Sequence, residues 1–390
     1  MILVIGQKSI AQSQIMPHGF QKTQLNRFMR LLNSDDRIAW IRLSHKRNKR
    51  EKKRLDKKRN KQSHNRRKGT KPSFVLKSPE IFELIGSINR KLLLEFIGKL
   101  RDKVLIQKRP VRIDFSNAKR MVVCGTLLFF SELHRIKREL GSLNLVSCIP
   151  PKDETAAQVL QHLGILKMLK NSCSIIPKRS DVINWKIAFG ELTDATKVGE
   201  ILEAESRLPQ TKAKKLYRGV SEAMTNVSQH AYMDLRNDGA EIIGDKGWWM
   251  FCREEENHIS VAFCDLGVGI PITLPKTIEE NHEENMFKSI LCKLFTDKKK
   301  YSDGELIRAA IEVKRSRTQK RHRGKGLLDM IKAIDTTQGG RLVILSNKGG
   351  YLYNLNNSNP SEDVKNYKDS IFGTLILWSL PVSRNTEVKL

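Results

Sequence analysis

The run Ser221-Glu222-Ala-Met-Thr-Asn226-Val-Ser-Gln-His230-Ala-Tyr232 sets Glu222, Asn226 and His230 at four-residue intervals. On a helix that spacing lines the three polar groups along one stripe. Alone, such a stripe is equally at home on a solvated surface helix. Two glycine-bearing motifs further along change that reading. Asp265-Leu-Gly267-Val-Gly269-Ile-Pro271 follows the apolar run Ile259-Ser-Val-Ala-Phe-Cys264, which reads as a buried strand. After about fifty largely polar residues, Arg323-Gly324-Lys325-Gly326-Leu-Leu opens an apolar helical stretch that reaches Ile334.

The order is therefore an acid-and-amide helix, a strand ending in D-x-G-x-G, a long variable segment, and G-x-G-L at a helix start. It resembles the GHKL ATP-binding fold of gyrase-type topoisomerases, mismatch-repair ATPases, heat-shock chaperones and the ATP domains of histidine kinases. The first box is similar to the S-E-A-V-T-N-x-x-x-H-G/A-Y run of the anti-sigma factor serine kinases. The likeness covers roughly residues 183 to 382 and implies a two-layer α/β sandwich with a mixed sheet.

The resemblance also implies ATP and Mg²⁺ as cofactors and gives residues their roles. Asp265 would accept a hydrogen bond from the adenine amino group, which guanine does not offer there. Gly267 and Gly269 would let the chain pass close to the base. Thr374, in a Gly-Thr pair, would help hold the adenine side through a water. Asn226 would give Mg²⁺ an uncharged oxygen. Gly324 and Gly326 would present backbone N–H groups to the triphosphate, with Arg323 and Lys325 adding charge. Glu222 would be the general base toward water or an acceptor hydroxyl. His230 reads as a packing residue at the helix end. Residues 272–322 take the place of the ATP lid, with Lys314, Arg315, Arg317, Lys320 and Arg321 near its end. A solvated basic loop is the equal alternative for that segment.

Upstream, Ser78-Pro79-Glu80 has the capping hydroxyl, proline and acid of a helix start, predicting a helix to about Gln107. Val111–Phe115 and Leu143–Cys148 read as strands, and Gly125–Leu140 and Glu154–Leu169 as helices. Alternation of this kind indicates a βαβ layer with parallel strands. Residues 73–180 resemble the STAS domain of anti-sigma factor antagonists, especially at Ile113-Asp-Phe-Ser116 and the Gly125 turn. That family carries a phosphorylated serine in a D-S-S-G turn. Here Val122-Val123-Cys124-Gly125 stands in its place, so the resemblance implies a docking or regulatory block that engages a protein partner.

Net charge is +29, from 71 basic and 42 acidic residues, which favours polyanionic partners. Sixteen Lys or Arg fall between Arg42 and Lys71, against Glu51 and Asp56. With so little apolar surface, residues 42–72 read as a solvated arm or linker after an extension at 1–41. The arm either contacts nucleic-acid phosphates through residues 42–71, without reading sequence, or serves only as a linker.

Six scattered cysteines with no C-x-x-C pair, and no run of about eighteen apolar residues, point to a cytoplasmic protein without membrane contact. The oligomeric state is not legible, and a homodimer stays among the options. The expected domains are thus 73–180 and 183–390. Three functions follow: an ATP·Mg²⁺-dependent switch with slow hydrolysis, a serine/threonine protein kinase acting on a partner, or a nucleic-acid-binding protein with a regulatory nucleotide site. The absence of an H-E/D-x-x-x-P phosphoacceptor helix disfavours a sensor histidine kinase, and little chain follows the last box for a gyrase-type transducer.

Overall fold

Aliphatic side chains at every second position give Phe74–Lys77 (β1), Val111–Asp114 (β3) and Val146–Ile149 (β5) one core-facing side. These strands form a parallel sheet in the order β1-β3-β5, beside a parallel ribbon of Ile81–Phe82 (β2) and Arg120–Met121 (β4). Ser87–Arg101 (α1), Val123–Leu140 (α2) and Glu154–His162 (α3) alternate with them, as expected. The computed structural model describes residues 73–171, 175–191, 195–204, 208–240, 247–255, 257–295, 300–318, 331, 334, 339–356 and 359–382. The chain divides into the units Met1–Lys71 and Pro72–Leu390. The expected extension 1–41 and arm 42–72 lie outside the described residues.

One helix start is corrected. The Ser78 hydroxyl donates to the Pro79 carbonyl, and Ile81–Phe82 pairs with Arg120–Met121, so the helix begins only at Ser87. A working cap is at α3, where the Asp153 carboxylate accepts the Ala156 N–H at 2.8 Å.

The second sheet has seven strands: Trp185–Gly190 (β6), Trp248–Glu254 (β7), His258–Asp265 (β8), Arg341–Ser346 (β9), Gly349–Asn356 (β10), Asn359–Asn366 (β11) and Thr374–Pro381 (β12). Their order is β11-β10-β9-β12-β8-β7-β6. All neighbours are antiparallel, which corrects the expected mixed sheet. The cause is connectivity: short turns join β7 to β8 and β9 to β10 to β11, and β12 slots between β9 and β8 against both. One face shares its core with Gln210–Asn226 (α4), Ile270–Glu280 (α5) and Asp303–Thr318 (α7), while Glu284–Leu294 (α6) packs on α5 and α7.

The expected lid is thus largely a helical layer. Ile307, Ile311 and Val313 of α7 are buried against the sheet. Arg315 pairs with Glu312 and, at 3.0 Å, with Glu362 of β11, so its charge is engaged inside the fold. Lys320 and Arg321, and the side chains of Lys314 and Arg317, lie outside the described residues.

Helix α2 joins the two expected domains. Its residues are buried almost without interruption from Val123 to Ile136, and a helix apolar on all sides must be covered on all sides. Successive residues point about 100° apart around a helix. Accordingly Phe129 packs on Phe82, Phe96 and Phe115, with ring centroids at 5.4, 5.5 and 5.8 Å. Phe130 packs instead on Phe251 of β7 at 5.1 Å. One core therefore runs from Leu76 to Leu375, and residues 73–180 cover the sheet face opposite α4, α5 and α7. Strand β8 shows both faces in use: Ala262 and Cys264 join the α2 side, and Val261 and Phe263 the other. Among the described residues no helix is long and apolar enough to cross a membrane.

Candidate functional site

At the end of β8 the backbone must leave a sheet buried on both faces, and the glycines of Asp265-Leu-Gly267-Val-Gly269 make the exit. A Cβ on Gly267 would lie 2.2 Å from the Ala231 carbonyl oxygen, just past α4 in the π turn Val227–Ala231. The Val268 N–H donates to that same oxygen at 2.8 Å. Gly269 has φ +85°, and a Cβ there would meet the Asn347 amide at 2.7 Å. Both positions thus require glycine because the chain passes its own backbone and side chains closely, whatever else approaches.

Asp265 is 6% exposed. Its Oδ1 accepts the Gly267 N–H at 2.9 Å, and it also accepts the backbone N–H and hydroxyl of Thr374, its register partner across β8 and β12. Burial nevertheless pushes its carboxyl up to about 6, because these bonds and the Arg236 charge only partly offset the lost solvation. The Thr374 hydroxyl lies 3.1 Å from Ser346 Oγ, which donates to the Gly373 carbonyl at 3.1 Å and accepts the Ile270 N–H at 2.9 Å. Asn347 donates to the Val268 carbonyl at 2.8 Å, and the Tyr232 hydroxyl accepts the Leu266 N–H at 3.0 Å while donating to the Gly247 carbonyl at 2.6 Å. The turn is tied to its surroundings on every side.

Asn226, His230, Asp265, Gly269 and Thr374 line one cavity of about 790 Å³, its open mouth included. Phe263, Leu274, Ile344 and Ile376 supply much of its wall, with Thr273 and Thr277 of α5 alongside. An apolar cleft with a few convergent polar groups suits a flat, partly apolar molecule that donates a hydrogen bond to the carboxylate.

Four of the sequence-named residues, Asn226, Asp265, Gly269 and Thr374, come together from α4, the end of β8, the turn and β12. Gly267 shapes the turn but faces a different cavity. Glu222 is half-buried one helical turn before Asn226 and is not among the lining residues. His230, read as a packing residue, is at the cavity wall. Thr374, expected to help hold the adenine side through a water, stands directly beside Asp265 as its register partner across β8 and β12. Arg323, Gly324, Lys325 and Gly326 lie outside the described residues.

Sequence reasoning missed Ser346, Asn347 and the two α5 threonines. The Ser-Asn pair that ends β9 carried only a turn signal, and Thr273 and Thr277 stood within the segment read as a lid. Among the described residues no group of three or more His, Cys, Asp or Glu converges to hold a metal, so a divalent ion here would need oxygens brought by a ligand. No protein-family model, curated protein or solved structure matches the chain.

Proposed function

We propose that residues 183–390 form a GHKL-type ATP-binding fold, and that the protein is an ATP·Mg²⁺-dependent switch with slow hydrolysis. The observation that carries this reading is the convergence of Asn226, Asp265, Gly269 and Thr374 on one apolar cavity from four separate places in the chain. The buried carboxylate accepts the adenine amino group, with Thr374 fixing its orientation. The Asn226 amide oxygen would be the residue that contacts Mg²⁺ brought in with the nucleotide. Mg²⁺ supplies charge neutralisation at the phosphates when bound. Glu222, half-buried one helical turn before Asn226, is the candidate general base.

Residues 73–180 are, in this reading, a STAS-like block that docks a protein partner and senses the nucleotide through the shared α2 helix. Thr126, the hydroxyl nearest the family's phosphorylated serine, is fully buried, which favours docking over phosphate acceptance. The second reading, a serine/threonine kinase acting on a partner, draws on the likeness of Ser221–Tyr232 to the anti-sigma factor kinases.

Titration of the full chain with Mg·ATP and Mg·GTP tests the pocket. ATP is expected to bind at least about tenfold more tightly, the worth of one buried polar match; equal affinities, or none, would remove the reading. Labelled ATP then separates the two functions: free phosphate marks the switch, and label on an added partner marks the kinase.

A further inference from the structure

A second cavity, of about 550 Å³ with its mouth included, borders the Gly267–Val268 side of the turn and shares no lining residue with the first. Arg236 and Lys348 line it, with Asn237 and Ser370. The acid among its lining residues is Asp303, whose carboxylate already accepts the Lys348 backbone N–H at 2.8 Å. The Lys348 side chain is exposed at the rim, whereas Arg236 is only 6% exposed.

Arg236 belongs to a buried cluster with Arg101, Arg135, Glu132 and Asp238. Arg101 lies 3.2 Å from Glu132 and 3.6 Å from Asp238; Arg135 pairs with Asp238; Arg236 pairs with Glu132 and sits 3.1 Å from Asp238. Three guanidinium groups face two carboxylates at contact distance, and the remaining positive charge is answered only from further off, by Asp265 on Arg236 and by Glu139 on Arg135. Buried charge without a partner at contact distance is costly for a fold. The Arg236 guanidinium has a nitrogen, Nη1, with no hydrogen-bond partner among the described residues. The Phe372 ring, against which Arg101 and Arg236 both lie at 5.0 and 5.6 Å, closes another side of the cavity and offers no countercharge beyond its π face.

We propose that this cavity is an anion site that takes one small oxyanion of the phosphate class, held by Arg236 from the buried side and by Lys348 from the rim. The bound charge balances the surplus of the arginine cluster, and Asn237 and Ser370 lie within the same cavity. Because the turn Gly267–Gly269 borders both cavities, occupancy of this one braces the wall that carries Asp265. The site stands whether or not the first cavity takes a nucleotide.

The test is calorimetric titration of the full chain with inorganic phosphate at fixed ionic strength, repeated for Lys348→Gln, Arg236→Gln and, as a control for exposed lysines, Lys167→Gln. The expected result is one saturable phosphate per chain, weakened about tenfold by Arg236→Gln and about threefold by Lys348→Gln, as befits a buried and a rim contact. Lys167→Gln should bind as the wild type does. Lys348→Gln decides the matter alone if Arg236→Gln fails to fold, since an exposed lysine is not needed for the core. No saturable binding, many equivalent weak sites, or equal weakening in Lys348→Gln and Lys167→Gln would each overturn the proposal.

Discussion

Two carboxylates are buried in the same unit and behave in opposite ways. Glu132, 1% exposed, would be pushed up by burial, but Arg236, Arg101 and Arg135 outweigh that and hold it at about 2. Asp265 has only the bonds of Gly267 and Thr374 and a more distant Arg236 against the same burial, and it rises to about 6. The contrast separates two uses of a buried acid. Glu132 is answered by the protein's own cations, as an acid that ties α2 to α1 and to the segment after α4 would be. Asp265 is left under-compensated at a cavity wall, where an added hydrogen-bond donor would relieve the cost of its burial.

Removing the answered acid should have the largest effect. Glu132→Gln strands three buried arginines with one carboxylate and is expected to lower the unfolding free energy by about 3–5 kcal/mol, read by denaturant titration. The two acids should also give opposite pH signatures. Glu132 sits below its unfolded value, so its contribution is present above pH 4.5 and lost as pH falls toward 2. Asp265 sits above its unfolded value of 3.8, so its relative contribution is present below that pH and lost as pH rises through 6. The latter amounts to at most about 3 kcal/mol. Comparing wild type with Asp265→Asn between pH 4 and 8 should show the wild type losing ground across that interval.

Smaller effects test the turn itself. Gly267→Ala puts a methyl group against the Ala231 carbonyl and should cost about 2 kcal/mol, with the binding cavity disturbed at the same time. Tyr232→Phe removes a hydroxyl that bridges Leu266 and Gly247 and should cost about 1 kcal/mol while leaving the core packed. Thermal or denaturant unfolding checks both, and a Gly267→Ala protein as stable as the wild type would show that the turn is looser than its contacts indicate.

Much of this was legible in the chain before any coordinates. The spacing of Glu222, Asn226 and His230 placed all three on one helical stripe, of which Asn226 and His230 line the cavity and Glu222 does not. The apolar run before Asp265 marked β8 correctly because a strand buried on both faces is apolar at successive positions. What failed, failed for physical reasons. Ser78-Pro79-Glu80 has every local feature of a helix start, yet pairing of Ile81–Phe82 with Arg120–Met121 is decided by distant residues. Strand β11, Asn-Pro-Ser-Glu-Asp-Val-Lys-Asn, is a polar edge strand with a proline, whose composition resembles a loop. The position of the segment 272–322 between the two glycine motifs suggests a lid, and its charge hides the buried stripe that Ile307, Ala310 and Ile311 form at helical spacing. The arginine–acid cluster was invisible because its members are scattered from Arg101 to Asp238 and meet only in space.

Asp265 is under-compensated at the cavity wall, where the proposed ligand's hydrogen-bond donor would meet it. The most direct measurement is the Mg·ATP affinity of the wild type and Asp265→Asn at pH 7.5, made together with thermal unfolding of both. Loss of at least about a hundredfold in affinity, with a melting temperature equal to or above that of the wild type, is the result this account requires. Unchanged ATP affinity in a folded Asp265→Asn protein, or no ATP binding by the wild type, would contradict it.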